Sequence, residues 1–405
     1  MPGIIPGKDT EGFQYIKRLD KTRRGKNMVA IRDKCAIVGI GETEYSRNSG
    51  RSEMRLAVEA VKAAVDDAGL RMRDIDGLMK FSVDTTGNVG EIATNFGISN
   101  LRFHAEVGFG GSAACALIGH AAMAIANGMA TNVVCFRALN GRSGYRWGEF
   151  TRGEDIEPAI GFQTEPNHWA MWCRRHMYEY GTTSAQLGTV AVAFRRNACL
   201  NPRAIMHGKP ITLEDYFNSR MIVDPFHVLD ITPEIDGACA VVVTSSERAE
   251  DLRQRPVYIL GAAQGTKPAP ASWFCMPDFA ESPLKHVVPP LFAKLGLAAK
   301  DIDVAQIYDC FTFTAIAALE ACGFCKIGEG GPFVEGGRIE LGGEIPLNTA
   351  GGLLSEGYMH GMNNIVEAVR QLRGTSTAQV KEAEIELVTA GGVAYSVPSA
   401  LVLRR

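Results

Sequence analysis

No apolar run in this 405-residue chain approaches the ~20 residues that a bilayer span requires; strings such as Ala240 to Thr244 are of strand length. No apolar segment follows the first residues as a secretory signal would need, so a soluble, cytoplasmic protein with reduced thiols is expected. Charge of one sign is also missing. The formal net charge is −3, and past the N-terminus there is no basic block, which removes the electrostatic footprint of a nucleic-acid binder. Ten cysteines are present, yet only Cys322 and Cys325 form a C-x-x-C, and no second Cys or His pair stands at zinc spacing. Packing thiols are expected there, not a metal or a redox couple. With 46% hydrophobic and 21% charged residues, the composition is that of a globular chain, and the length allows two domains of ordinary size.

Residues 1–32 read as a flexible leader rich in Gly, Pro, Lys and Arg, or as an over-called translation start ahead of Met28. Ordered structure is expected to begin at Cys35-Ala-Ile-Val-Gly-Ile-Gly41, a β-branched run that predicts a buried strand. Its G-x-G is not a nucleotide fingerprint, because Glu42, Thr43 and Glu44 follow in place of x-x-G opening a helix. A helix is predicted from Ser52, with Leu56, Val58, Val61, Ala64 and Val65 as its apolar face.

An internal repeat organises the rest. Ala68-Gly-Leu-Arg-Met-Arg-Asp-Ile-Asp76 matches Leu295-Gly-Leu-Ala-Ala-Lys-Asp-Ile-Asp303 without a gap, at an offset of 296 − 69 = 227 residues. In both copies a helix ends at the glycine, a polar turn follows, and an apolar strand begins, at Gly77 and at Val304. Two α/β halves of the same topology are implied, residues 33–250 and 251–405, each with a helix-covered sheet. Residues 137 to about 225 differ in texture, with Trp147, Trp169, Trp172 and many arginines at weak periodicity, and are read as a loop or lid domain inserted in the first half.

Four segments could carry chemistry. Val107-Gly-Phe-Gly-Gly-Ser112 enters an apolar helix from Ala113 to Asn127; it reads either as a core helix with a serine N-cap or as a dipole end suited to a developing oxyanion at Gly110, Gly111 and Ser112. Ile307-Tyr-Asp-Cys-Phe-Thr312 places Tyr308 and Asp309 at a strand's C-terminal end, where α/β sheets bind ligands. Asn348-Thr-Ala-Gly-Gly-Leu-Leu-Ser-Glu-Gly-Tyr-Met-His-Gly361 carries Gly352, Tyr358 and His360 on a Gly-rich loop, either a plain turn or one closely approached by ligand. Gly391 and Gly392 follow the strand from Glu384 to Val388.

Taken in order, these segments, together with Asp236-Gly-Ala-Cys-Ala240, resemble the thiolases over roughly residues 33–405, most closely those of the sterol carrier protein X and lipid-transfer-protein type. The resemblance implies the duplicated five-layer αβαβα thiolase fold. It also exposes departures. Thiolases carry a nucleophilic cysteine in C-x-S-G at the mouth of the apolar helix; aligned on Ser112, that position is Gly110. Their G-H-P histidine falls on Tyr358, the Asn or His before their acidic-Ala/Cys-Phe motif on Tyr308, and their second cysteine near Thr389. Without thiol and imidazole, an acyl-enzyme cannot form by the usual route.

The two tyrosines resemble the aldolases that remove steroid side chains. That likeness implies retro-aldol cleavage of a β-hydroxyacyl-CoA to a ketone and a shorter acyl-CoA such as propionyl-CoA, with no cofactor beyond the coenzyme A of the substrate. Tyr308 and Tyr358 are then the acid/base pair, each phenol needing a pKa lowered from ~10. Gly110, Gly111, Ser112, Asp309, Gly352, His360, Gly391 and Gly392 are expected to line the thioester. A homodimer is implied, joined by a small OB-fold partner bearing a zinc ribbon in a heterotetramer. Two other readings stand beside it: a thiolase-type acyltransferase using Cys115, and a non-catalytic acyl-CoA-binding subunit.

Overall fold

The computed structural model describes residues 31–83, 85–108, 110–144, 146, 159, 161–162, 164–265, 279–392 and 397–405. The leader (but for its last two residues), Phe109, Trp147 and Cys275 lie outside them. The first half contains β1 (Cys35–Glu42), α1 (Glu53–Ala68), β2 (Gly77–Phe81), α2 (Val89–Phe96), β3 (Phe103–Val107), α3 (Ala113–Ala126) and β4 (Asn132–Asn140). Helices α4 (Glu165–Tyr180), α5 (Ser184–Leu200) and α6 (Leu213–Asn218) follow, then a hairpin of β5 (Met221–Val223) and β6 (Phe226–His227), and β7 (Asp236–Ser245). The second half runs β8 (Val257–Gln264), α7 (Val288–Leu295), β9 (Val304–Gln306), α8 (Thr312–Cys322), the single turn α9 (Gly352–Ser355), α10 (Met362–Arg373), β10 (Ile385–Ala390) and β11 (Ser399–Arg404).

The two copies of the repeat fold alike. Helices α1 and α7 end at Gly69 and Gly296, whose φ values of 75° and 74° place both in the left-handed region that closes a helix. In the first half the strand order is β3-β2-β4-β7-β1, and in the second β9-β10-β11-β8. Strand β7 is antiparallel to β4 and β1, as β11 is to β10 and β8, and β2 runs parallel to β4 as β9 does to β10. The half-sheets meet at β1 and β8 through only two residue pairs, Ala36 with Tyr258 and Ile37 with Val257.

Side-chain parity shows the layers. Val134, Phe136 and Ala138 of β4 share a core with Leu56, Val61 and Val65 of α1, while Val133, Cys135 and Leu139 face inward toward α3. Burying a side chain such as Leu56 or Val61 contributes about 1.5–3 kcal/mol. On the second sheet, Gly261 of β8 abuts Leu291 and Leu295 of α7, and its neighbour Ala262 abuts Gly119 of α3. Helix α3, with α10, therefore lies between two sheets that are covered outside by α1 and α7: five layers. The G-x-G of β1 is explained by packing, since a Cβ on Gly41 would stand 2.2 Å from the Ala60 carbonyl of α1.

The segment read as an inserted loop is largely helical over its described part. Its periodicity is weak because α4 and α5 bury polar groups as well as apolar ones: His168, His176, Gln186, Arg195 and Asn197 are all covered. His176 shows how they are satisfied, with Nδ1 2.8 Å from Thr182 Oγ1 and Nε2 3.1 Å from Glu320 Oε2 of α8. The insert thus packs on the second half. Among the described residues no helix is long and apolar enough to cross a membrane.

Candidate active site

Helix α3 is entered through a tight turn, Gly110–Ser112. Ser112 itself has helical angles and makes no capping bond, so it is not the N-cap serine that the sequence allows. Ser399 of β11 does that work instead: its hydroxyl accepts from Ala116 N–H at 3.2 Å and donates to Ser112 O at 2.6 Å. Gly391 lies against Ser112, and the Gly392 carbonyl accepts from Ser282 Oγ at 2.6 Å, so this glycine pair closes round the helix mouth. At Gly110, φ is +50°, and among the described residues nothing lies within 4 Å of where its Cβ would sit. Among the described residues, nothing occupies the position that carries the thiolase nucleophile.

Tyr308 fills the adjoining position. A Cβ on Gly111 would stand 1.8 Å from the Tyr308 hydroxyl, and one on Gly361 3.3 Å from its ring. The phenol therefore depends on two glycines for its seat. Its backbone is held as tightly: Tyr308 N–H donates to Thr389 Oγ1 at 3.0 Å, and Asn348 brackets Ile307, accepting from its N–H at 2.6 Å and donating to its carbonyl at 2.9 Å. Thr389, near which a thiolase has its second cysteine, is thus a backbone anchor. The anchoring roles of Asn348 and Thr389 escape a reading of the sequence, because a side-chain-to-backbone bracket has no spacing signature.

Tyr358 completes a pair, its hydroxyl 3.0 Å from that of Tyr308. Its loop is fixed from below by Glu356, whose two oxygens accept from Asn201 at 3.0 Å and Asn363 at 2.8 Å. Asp309 turns away from the pair and accepts from Leu353 N–H at 2.9 Å and Leu354 N–H at 3.1 Å, anchoring α9. Burial raises its carboxyl to about 8 against the pull of those donors. Gly352, with Asp309 Oδ2 2.3 Å from its Cβ position, is the residue that lets this anchor form. Asp309 and Gly352 position the site and do not line it.

The expectation of lowered phenol pKa values is not met, since desolvation dominates at both rings. Tyr308 is raised by burial first and then by Tyr358. Tyr358 is raised by burial and by Cys310, while the bond from Tyr308 and the charge of Arg137 act the other way. His360 is buried beside Tyr358, ring centroids 4.8 Å apart, and its Nδ1 accepts from Arg137 Nε at 3.3 Å. Burial and that guanidinium hold the imidazole well below its ordinary pKa, making it a weaker base than a free histidine. Cys115 is not set up as a nucleophile would be. It is buried inside α3, donates to Val388 O at 3.4 Å, and has its thiol pushed up by burial.

Fold and site together define a thiolase architecture rebuilt around two hydroxyls. The Thiolase C-terminal domain-like family matches residues 265–405. The chain is 46% identical to the steroid side-chain-cleaving aldolase of Thermomonospora curvata over 370 residues, 88% of this chain and 94% of that one. It is 47% identical to the 17-hydroxy-3-oxo-4-pregnene-20-carboxyl-CoA lyase of Mycobacterium tuberculosis, over 88% and 96% of the two chains. The solved Ltp2-ChsH2(DUF35) aldolase superposes with a TM-score of 0.86 at 45% identity, covering 93% of this chain and 98% of that one. The chain belongs to the thiolase superfamily, in the family of the steroid side-chain-cleaving aldolases.

Proposed function

We infer that this chain is a carbon–carbon lyase that performs retro-aldol cleavage of a steroidal β-hydroxyacyl-CoA, giving a ketone and a shorter acyl-CoA such as propionyl-CoA. The observation that carries the reading is the 3.0 Å hydroxyl pair beside the open Gly110. The β-hydroxyl must lose a proton, the α–β bond breaks, and the thioester enolate must gain a proton at Cα. Burial raises both phenols, so both are protonated before reaction and the proton moves through their shared hydrogen bond with no standing phenolate. Tyr308 takes the β-hydroxyl proton as its own passes to Tyr358, and Tyr358 protonates Cα. Protons and charge balance, and coenzyme A is needed only as part of the substrate. The α3 mouth at Gly110–Ser112 suits the negative oxygen of the enolate.

Products from a panel of steroidal β-hydroxyacyl-CoAs, read by mass spectrometry, test this. Ketone and shortened acyl-CoA are expected with no free CoA added and after iodoacetamide treatment. CoA-dependent acyl transfer, or loss of activity on alkylation that substrate prevents, would restore the Cys115 reading. No turnover of any member would leave a binding subunit.

A cytoplasmic setting suits the nine unpaired thiols among the described residues. The chain is further expected to form a homodimer through its first half and to recruit a small OB-fold partner with a zinc ribbon. The two described tryptophans of the insert, Trp169 and Trp172, are buried against Phe311 and Phe313, so the residues it offers to a partner are exposed arginines such as Arg174 and Arg175. Light scattering should give a dimer alone and a heterotetramer on co-expression; a monodisperse monomer, fully active alone, would sink the idea.

A further inference from the structure

Strand β4 reads Asn-Val-Val-Cys-Phe-Arg-Ala-Leu-Asn, and its one charge, Arg137, falls on the inward parity with Val133, Cys135 and Leu139. The side chain is 1% exposed, in the central layer of the fold. A cation there is costly unless it is used. Its surroundings point to the use. The guanidinium lies 5.4 Å over the Phe81 ring, Nε donates to His360 Nδ1, and the His360 ring meets Tyr358 edge-on. His360 has φ +52°, a strained setting for a non-glycine residue that brings its imidazole between the arginine and the tyrosine.

We propose that Arg137 is a positioning residue for proton transfer: it locks His360 as the neutral Nε2–H tautomer and sets a fixed positive charge behind the Tyr358 phenol, so that Tyr358 gives up its proton to the enolate more readily. The proposal rests on the aldolase reading for what that proton is used for. Among the described residues, the groups acting on Tyr358 are Tyr308 and Cys310 after β9, Glu165 at the start of α4, Arg137 on β4 and His360 on its own loop. Two of them, Cys310 and Glu165, oppose ionisation of the phenol, and Arg137 is the cation among them.

The experiment uses the full chain with a fluorinated tyrosine at 358, whose phenolate absorbance reports ionisation in an accessible pH range without turnover. In Arg137→Gln that ionisation is expected to move up by about one pH unit, the order of a single charge at this range in a partly screened site. In Arg137→Lys, which keeps the charge, it should move by less than half as much. Turnover of the unlabelled Arg137→Gln enzyme should fall about tenfold or more in kcat with KM within about threefold. An unchanged ionisation in folded Arg137→Gln overturns the proposal. Should that variant not fold, nitrogen NMR of the wild-type imidazole decides: an acceptor-type Nδ1 on His360 supports the arrangement, and a proton on Nδ1 overturns it. Since the reporter needs no substrate, a shifted ionisation in a chain that cleaves no thioester would leave this electrostatic assignment standing and remove the aldolase reading alone.

Discussion

Tyr308→Phe and Tyr358→Phe each lower turnover by about 10²–10⁴-fold, the usual cost of losing a general acid or base. Each removes one oxygen and keeps the ring, so the seat against Gly111 and Gly361 survives and the melting temperature and substrate affinity should stay close to wild type. The double variant should be little worse than the poorer single one. Two hydroxyls 3.0 Å apart that pass protons in one step act as a unit, and breaking the relay at either point breaks it entirely. Steady-state kinetics on the three variants measure this. Near-wild-type turnover in both single variants would make the pair structural, and fully multiplicative losses would mean two separate steps.

Gly111→Ala should be as damaging, from a residue with no chemistry of its own. Its Cβ would stand 1.8 Å from the Tyr308 oxygen and 2.1 Å from Cζ, so the phenol must move by more than an ångström to admit it. A displacement of that size is worth about 10²-fold in rate, and the 3.0 Å contact with Tyr358 is lost with it. The neighbouring Gly110→Ala is the control. Its Cβ meets none of the described residues within 4 Å, and the cost is mainly the φ of +50°, about 1–2 kcal/mol. It should melt lower and raise KM, since its methyl takes up space the thioester is expected to fill, while leaving Tyr308 in place. An active Gly111→Ala enzyme would show that Tyr308 does not sit where the reaction occurs.

How much of this could be read in advance differs residue by residue. The repeat at offset 227 foretold both glycine C-caps and the strands that follow, because a helix stop and a strand start are local events written in adjacent residues. Tyr308 and Tyr358 were reachable through their motifs. Arg137 left a fainter mark, a lone charge in an apolar strand, and its meaning appears only when parity turns it inward toward His360. Ser399 left none, since its role as cap of α3 depends on a strand that lies 287 residues away from Ser112. The helices of the insert were hidden for another reason: a helix that buries His168 and His176 beside Trp169 and Trp172 shows no clean apolar stripe.

The offset that relates the halves also pairs individual side chains. Subtracting 227 from 308 gives 81, so Phe81 at the end of β2 is the counterpart of Tyr308 after β9. The rings follow one another as Phe81, His360, Tyr358 and Tyr308, with centroid separations of 6.1, 4.8 and 6.5 Å. Two equivalent positions thus flank one loop, and they differ by a single oxygen atom. On the first side the bare ring offers its π face to a cation; on the second the hydroxylated ring meets the Tyr358 hydroxyl. The two halves, equivalent in fold at these positions, thus differ there by one hydroxyl.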